Sequence, residues 1–150
     1  MVPAFNRAVE HSPVLRARLA GASPASRFRS FGGRAGFVRQ TWGSGWALVG
    51  DSAYFKDPVS AHGITDALIG AELLGEALTA AVRGADEREA LVRYQRQRDR
   101  LAAPMVPAVA KVASYQWDTA TVADAYRDMT TAMRHEWDFL ESRFAMATAV

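Results

Sequence analysis

There is no cysteine among the 150 residues, so the chain can form no disulfide and offers a metal no thiolate. That absence suits a reducing, cytoplasmic setting. No apolar run approaches about 18 residues, and the N-terminus lacks a cationic stretch leading into an apolar core, so neither a membrane span nor a secretory signal is expected. Charge of one sign is also lacking. The 18 basic and 16 acidic residues leave a formal net charge of +2, which gives no reason to expect nucleic acid as a partner. Histidine is scarce. His62 and Asp66 stand four apart, as two ligands on one helix turn would, but His11 and His135 lie far off in sequence with no partner motif, and no metal is expected.

What is present is an ordinary globular composition, 49% hydrophobic and 23% charged, in a length sufficient for a core. Pro3 to Glu10 reads as a short helix. Ser12-Pro13 starts another, with Ser12 as N-cap and Pro13 at the first helical position, and Gly21 ends it. The pattern then changes to three short strands, Arg27 to Phe31, Gly36 to Gln40 and Gly45 to Gly50, separated by the glycine turns Gly32-Gly33 and Gly43-Ser44-Gly45.

Past Gly63, the residues Ile64, Ala67, Leu68, Ala71, Leu74, Leu78 and Val82 recur at helical spacing and predict one buried face. Asp86 with Glu89 resembles a capping box and opens a helix to Leu101. Pro104 and Pro107 predict a break or a kink, and the chain is expected to divide there into 1–104 and a helical extension, 105–150. In the extension, Val109, Val112 and Trp117 suggest a helix, and Val122, Tyr126, Met129, Met133, Trp137, Leu140 and Phe144 predict a long apolar seam. Arg88, Arg93, Arg96, Arg98 and Arg100 are diluted by Asp86, Glu87, Glu89 and Asp99, so they read as a solvated face. The loop lysine, Lys56, is likewise expected to be solvated.

The most informative run is Gly45 to Ala67. Trp46-Ala47-Leu48-Val49 is apolar throughout, as a strand covered on both faces would be, and predicts the middle of a parallel sheet. Gly50 allows a turn, Asp51 falls just past the strand's carboxyl end, Pro58 fixes the loop, and Gly63 opens a helix whose first amides face the same crevice. Such a crevice suits a ligand with hydroxyls and delocalised negative charge.

This run resembles the second FAD-binding motif of the flavin-dependent aromatic hydroxylase superfamily, a Gly-Asp pair followed by Asp-Pro-x-x-x-x-Gly. The strong likeness covers about Trp46 to Leu78, and a looser one reaches Pro104. The resemblance implies that Gly50 and Asp51 meet the flavin ribityl or ribose hydroxyls, that Pro58 packs by the isoalloxazine, and that the amides around His62, Gly63 and Ile64 face its pyrimidine ring. Tyr54, Ala61 and Thr65 stand where the family often has His, Gly and Asn.

A family member also needs a Gly-x-Gly-x-x-Gly turn for the pyrophosphate, and the sequence has none. The expectation is therefore an α-rich α/β fragment with about three short strands and several helices. It would complete an FAD-binding, Rossmann-like domain whose N-terminal half is absent. The resemblance implies an FAD-dependent oxidoreductase, an NAD(P)H-dependent monooxygenase acting on a small organic substrate. The alternative is a truncated or split helical protein that binds no flavin alone. A homodimer or a complementing chain is the expected partner, because the apolar strand would otherwise be an exposed edge.

Overall fold

The computed structural model describes residues 2–29 and 33–148, with the side chains of Phe144 and residues 146–148 outside the description. The chain is divided into two compact units, 1–33 and 34–150. The first holds helices α1 (Val2–Glu10) and α2 (Pro13–Arg18). Ser12 caps α2 by accepting from the amide of Leu15, 3.4 Å away, and Pro13 sits where a missing N–H costs nothing. The expected strand from Arg27 does not form over 27–29, and its remainder, Ser30 and Phe31, lies outside the described residues. Phe28 instead turns its ring onto Phe5, 4.9 Å between centroids.

The second unit is three long helices with a strand-poor segment against them. In chain order come β1 (Phe37–Val38), β2 (Trp42–Gly43), β3 (Trp46–Ala47), β4 (Tyr54–Phe55), α3 (Gly63–Val82), α4 (Glu87–Ala113) and α5 (Thr119–Thr148). The strands make two antiparallel pairs. Phe37 stands opposite Phe55 in one, and Trp42 opposite Ala47 in the other. The expected parallel strand through Trp46 to Val49 is therefore corrected to a two-residue hairpin arm. Its backbone is satisfied by other means: the Leu48 amide donates to Thr41 O at 2.7 Å, and Leu48 O accepts from the Tyr94 hydroxyl at 2.6 Å.

Helix α4 supplies what a larger sheet would otherwise supply. Gln95 Oε1 accepts from the Thr41 amide at 3.1 Å. Arg98 reaches Ala53 O at 2.9 Å and Arg39 O at 2.7 Å. Arg98 is thus buried, unlike Arg88, Arg93, Arg96 and Arg100, which are exposed. A strand segment with few ladder bonds stays ordered because polar groups on one helix take its carbonyls, and a buried carbonyl without a partner would be costly.

Two apolar clusters fill the interior. Ile69, Leu73 and Ala77 of α3 pack with Ala90, Leu91, Tyr94 and Leu101 of α4, while Met105, Ala108 and Val109 pack with Met129 and Ala132 of α5. Helix α4 runs through Pro104 and Pro107 without the expected break. Both prolines, and the carbonyls of Arg100 and Ala103 that they leave unbonded, lie on its exposed side. Water can take those carbonyls, and burial of Met105 and Val109 on the opposite side offsets the cost of the prolines, about 3 kcal/mol each.

The buried faces of α3 and α5 also differ from expectation. On α3 the buried residues are Ile69, Gly70, Leu73 and Ala77, whereas Ile64 is 80% and Leu68 67% exposed. The helix is apolar on nearly every side, so spacing alone cannot choose its inner face. On α5 the fully buried residues are Ala125, Met129, Ala132 and Glu136; of the expected seam Met129 is buried and Met133 and Leu140 pack against the core, whereas Tyr126 is 47% and Trp137 62% exposed.

Candidate functional site

Asp51 lies in a single 3-10 turn, Gly50–Ser52. Gly50 has φ +60, and a Cβ there would come within 3.2 Å of the Ala67 Cβ, so the turn needs a residue that tolerates a positive φ and leaves room for α3. Val49 meets α3 in the same way, its Cγ2 3.1 Å from where a Cβ at Gly70 would stand. These close approaches bring Asp51 beside the start of α3. A side chain at Gly63 would begin 3.9 Å from Asp51 Oδ1.

The loop between them is built by its own residues. Asp57 accepts from the Val59 amide at 3.0 Å, Pro58 opens a second 3-10 turn, and Ala61 closes it in the left-handed region at φ 51. Helix α3 then begins at Gly63 with no side chain capping it. The two helices that follow it are capped: Asp86 accepts from the Glu89 amide at 2.7 Å, and Asp118 from that of Thr121 at 2.7 Å. An uncapped first turn leaves backbone donors and the positive end of the helix dipole available to a ligand. The structure thus brings Gly50, Asp51 and Gly63 together. Pro58 is exposed on the same loop, and the side chain of Ile64 points to solvent.

The side chain of His62 turns the other way, into a cluster that the sequence does not reveal. Lys56 is ion-paired with Asp66 and stacks over the Tyr54 ring, 4.7 Å from its centroid. His62 Nε2 lies 3.2 Å from Glu136 Oε2, and Nδ1 lies 3.9 Å from Asp66 Oδ1. Lys56, expected to be solvated, is buried, and Glu136 is 2% exposed. The His62–Glu136 contact lacks hydrogen-bond geometry, and Glu136 Oε2, His62 Nδ1, Tyr54 Oη and Lys56 Nζ are buried with no hydrogen-bond partner among the described residues.

Burial governs these groups. It pulls Lys56 down to about 8 against the opposing pull of Glu136 and Asp51, and lifts Glu136 to about 7 even with Lys56 nearby. It holds the Tyr54 phenol well above its usual range. Burial, with help from Lys56, also keeps His62 below its ordinary value.

His62, Asp66 and Glu136 bring three donor atoms within 4.8 Å of one another, so Glu136 is the third candidate ligand that spacing alone did not supply. The ammonium of Lys56 already engages Asp66, however, and a divalent ion there would have to displace it. Signals for the cluster do exist in hindsight. Ala125, Met129, Ala132 and Glu136 follow spacings of four, three and four, which place a carboxylate in line with a buried face. Comparison with protein-family models, with curated proteins and with solved structures finds no match to this chain.

Proposed function

We propose that this chain is the C-terminal portion of an FAD-dependent oxidoreductase, an NAD(P)H-dependent monooxygenase, and supplies the contacts to the ribityl and pyrimidine side of the flavin. The observation that carries the reading is the Asp51 carboxylate beside the uncapped start of α3. A carboxylate accepts from hydroxyls, and a helix N-terminus stabilises the negative charge that a reduced flavin gathers on its pyrimidine ring. When bound, FAD would supply the hydride and oxygen chemistry. Gly50 and Asp51 would hold the ribityl or ribose hydroxyls, Pro58 would pack by the ring system, and the amides of His62, Gly63 and Ile64 would face the pyrimidine edge.

The pyrophosphate half, a Gly-x-Gly-x-x-Gly turn with its own sheet, would come from another segment or chain completing a Rossmann-like domain. The exposed apolar side of α3, with Ile64, Leu68, Leu78 and Val82, supports a role that depends on association with more polypeptide.

The isolated 150 residues are expected to hold no FAD. One carboxylate and one helix end contribute about 1–3 kcal/mol each, whereas micromolar binding requires about 8 kcal/mol. A stoichiometric yellow complex after incubation with excess FAD and desalting would show that the chain completes the site itself. Once a nucleotide-binding half is added and flavin is retained, Asp51→Ala should weaken FAD binding by about 10- to 150-fold, the loss of a charged hydrogen bond. Unchanged retention would remove Asp51 from the site.

A further inference from the structure

We propose that the exposed face of α3 is a dimer interface, on which a second copy of this chain lies antiparallel about a two-fold axis level with Leu73. The inference stands apart from the flavin reading, because it rests on the order of residues along one helix.

Ile64, Leu68, Ala71, Gly75, Leu78 and Val82 are all exposed, and they follow one another at spacings of four, three, four, three and four. That alternation is the seam of a helix paired with another helix. It draws a stripe down α3 on the side away from Ile69, Leu73 and Ala77, which are buried against the core. The helix therefore carries two seams, and the chain by itself fills one.

The unfilled stripe is symmetric in size. Counting outward from Leu73, Ala71 matches Gly75, Leu68 matches Leu78 and Ile64 matches Val82. A two-fold axis that reverses the helix sets each residue against its match in the other copy, so small meets small at the centre and large meets large toward both ends. Helices crossing at about 20° are closest at the crossing point and diverge from it, which calls for that order of sizes. A Cβ added at Gly75 would meet nothing within 4 Å, so the centre is open to a close approach.

Charge favours the antiparallel sense. A parallel pair would match the sizes too, but it would lay the two helix dipoles in the same direction, whereas the antiparallel pair sets each positive end beside a negative one. No charge interrupts the stripe, and Ala67, Leu74 and Ala81 on one flank are uncharged. On the other flank Glu72 is already paired with Arg143 of α5 at 3.2 Å, so the axis brings together paired rather than free carboxylates. From Ile64 to Val82 the stripe runs about 27 Å, and two such stripes, each about 10 Å wide, bury roughly 1,000 Å² in total. That is the lower limit for a specific interface, and it sets a dimer of micromolar strength.

The test uses the chain as it is. Sedimentation equilibrium between about 1 µM and about 300 µM should show a monomer–dimer equilibrium with a Kd of about 1–100 µM. Leu68→Glu and Leu78→Lys should each weaken it at least about 10-fold, because each buries a charge without a partner. The double change Leu68→Glu, Leu78→Lys should recover most of that loss, since only the antiparallel register faces each new carboxylate with an ammonium of the other copy. A monomer throughout, a dimer that ignores Leu68→Glu, or a double variant no better than the single ones would overturn the interface. A monomer would leave the flavin reading as it is.

Should a charged variant fail to fold, cross-linking decides. The chain has no cysteine, so Ile64→Cys and Val82→Cys each introduce one thiol on an exposed site. A short bismaleimide should join the two variants when they are mixed and neither with itself. Self-linking of Ile64→Cys without the mixed product would mean a parallel pair and would overturn the two-fold.

Discussion

Ala132 and Glu136 lie one turn apart on the same buried face of α5, and opposite physics surrounds them. Ala132 closes against Met105, Ala108 and Val109 of α4, a contact of small forces that adds up through area and tolerates exchange of one apolar group for another. Glu136 meets His62 beside the Lys56–Asp66 pair, where each group is tolerable only because its neighbours carry the complementary charge or proton. Burial fixes the first contact in proportion to area. The second is fixed by counting charges, so losing one member changes the standing of all the others.

The largest effect should therefore come from removing the cation of the polar seam. Lys56→Met leaves the part-buried Asp66 and the buried Glu136 with no ammonium between them, and stability measured by urea unfolding near neutral pH should fall by about 3–5 kcal/mol. The triple change Lys56→Met, Asp66→Leu and Glu136→Gln, which removes the charges together, should recover most of that loss. A triple variant no better than Lys56→Met would mean that packing, rather than charge balance, holds this region.

The matching change in the apolar seam is Met105→Ala. Met105 is fully buried, and the cavity left behind should cost about 2–5 kcal/mol. The distinguishing feature is pH: the Met105→Ala loss should stay constant from pH 5 to pH 8, while the penalty of Lys56→Met should shrink toward acid pH as Glu136 takes up a proton. A Met105→Ala penalty that follows pH as closely would erase the contrast between the seams.

A smaller effect is expected where α4 carries the strand segment. Tyr94→Phe keeps the ring in the core but removes the donor to Leu48 O. It should cost about 1–3 kcal/mol, because a part-buried carbonyl loses its partner. Hydrogen exchange should show the loosening concentrated around residues 46–50, and an unchanged exchange pattern there would mean that Tyr94 acts through packing alone.

The contrast between the seams also explains what the sequence made legible. Local chemistry was readable: Ser12-Pro13 starts α2, Asp86 caps α4, and glycine turns separate short extended stretches. Asp51 beside the first turn of α3 followed from a Gly-Asp pair, a fixed loop and a glycine at the start of a helix. Which side of a helix faces inward was less readable. Helix α3 offers apolar residues all round, and the buried line on α5 is marked by alanines and a glutamate rather than by Tyr126 and Trp137. Glu136 is marked only by its spacing from Ala125, Met129 and Ala132, and nothing local identifies Lys56 or Arg98 as buried, because their partners lie many residues away, as Arg98 does from Ala53 and Arg39. The prolines of α4 misled for a similar reason, since tertiary burial on the far side outweighs a local rule.

The smallest expected effect concerns Ala61, on the loop that delivers Asp57 and Pro58 to one side and His62 to the polar seam. Its φ of 51 brings an ordinary side chain into the left-handed region, where the clash of Cβ with the following carbonyl costs about 1–2 kcal/mol. Ala61→Gly removes that strain but gives the unfolded chain more freedom to lose, about 0.5–1 kcal/mol. The net should be a stabilisation of about 0.5 kcal/mol, seen as a rise of about 1–2 °C in Tm for a chain of this length. Ala61→Val, with its branched side chain in the same conformation, should instead lower Tm by several degrees. Because neither substitution touches a charge, the change in Tm should be the same at pH 5.5 and pH 8. A pH-dependent change would mean that this loop reports on the Glu136 cluster, joining two parts of the site that the backbone geometry otherwise keeps separate.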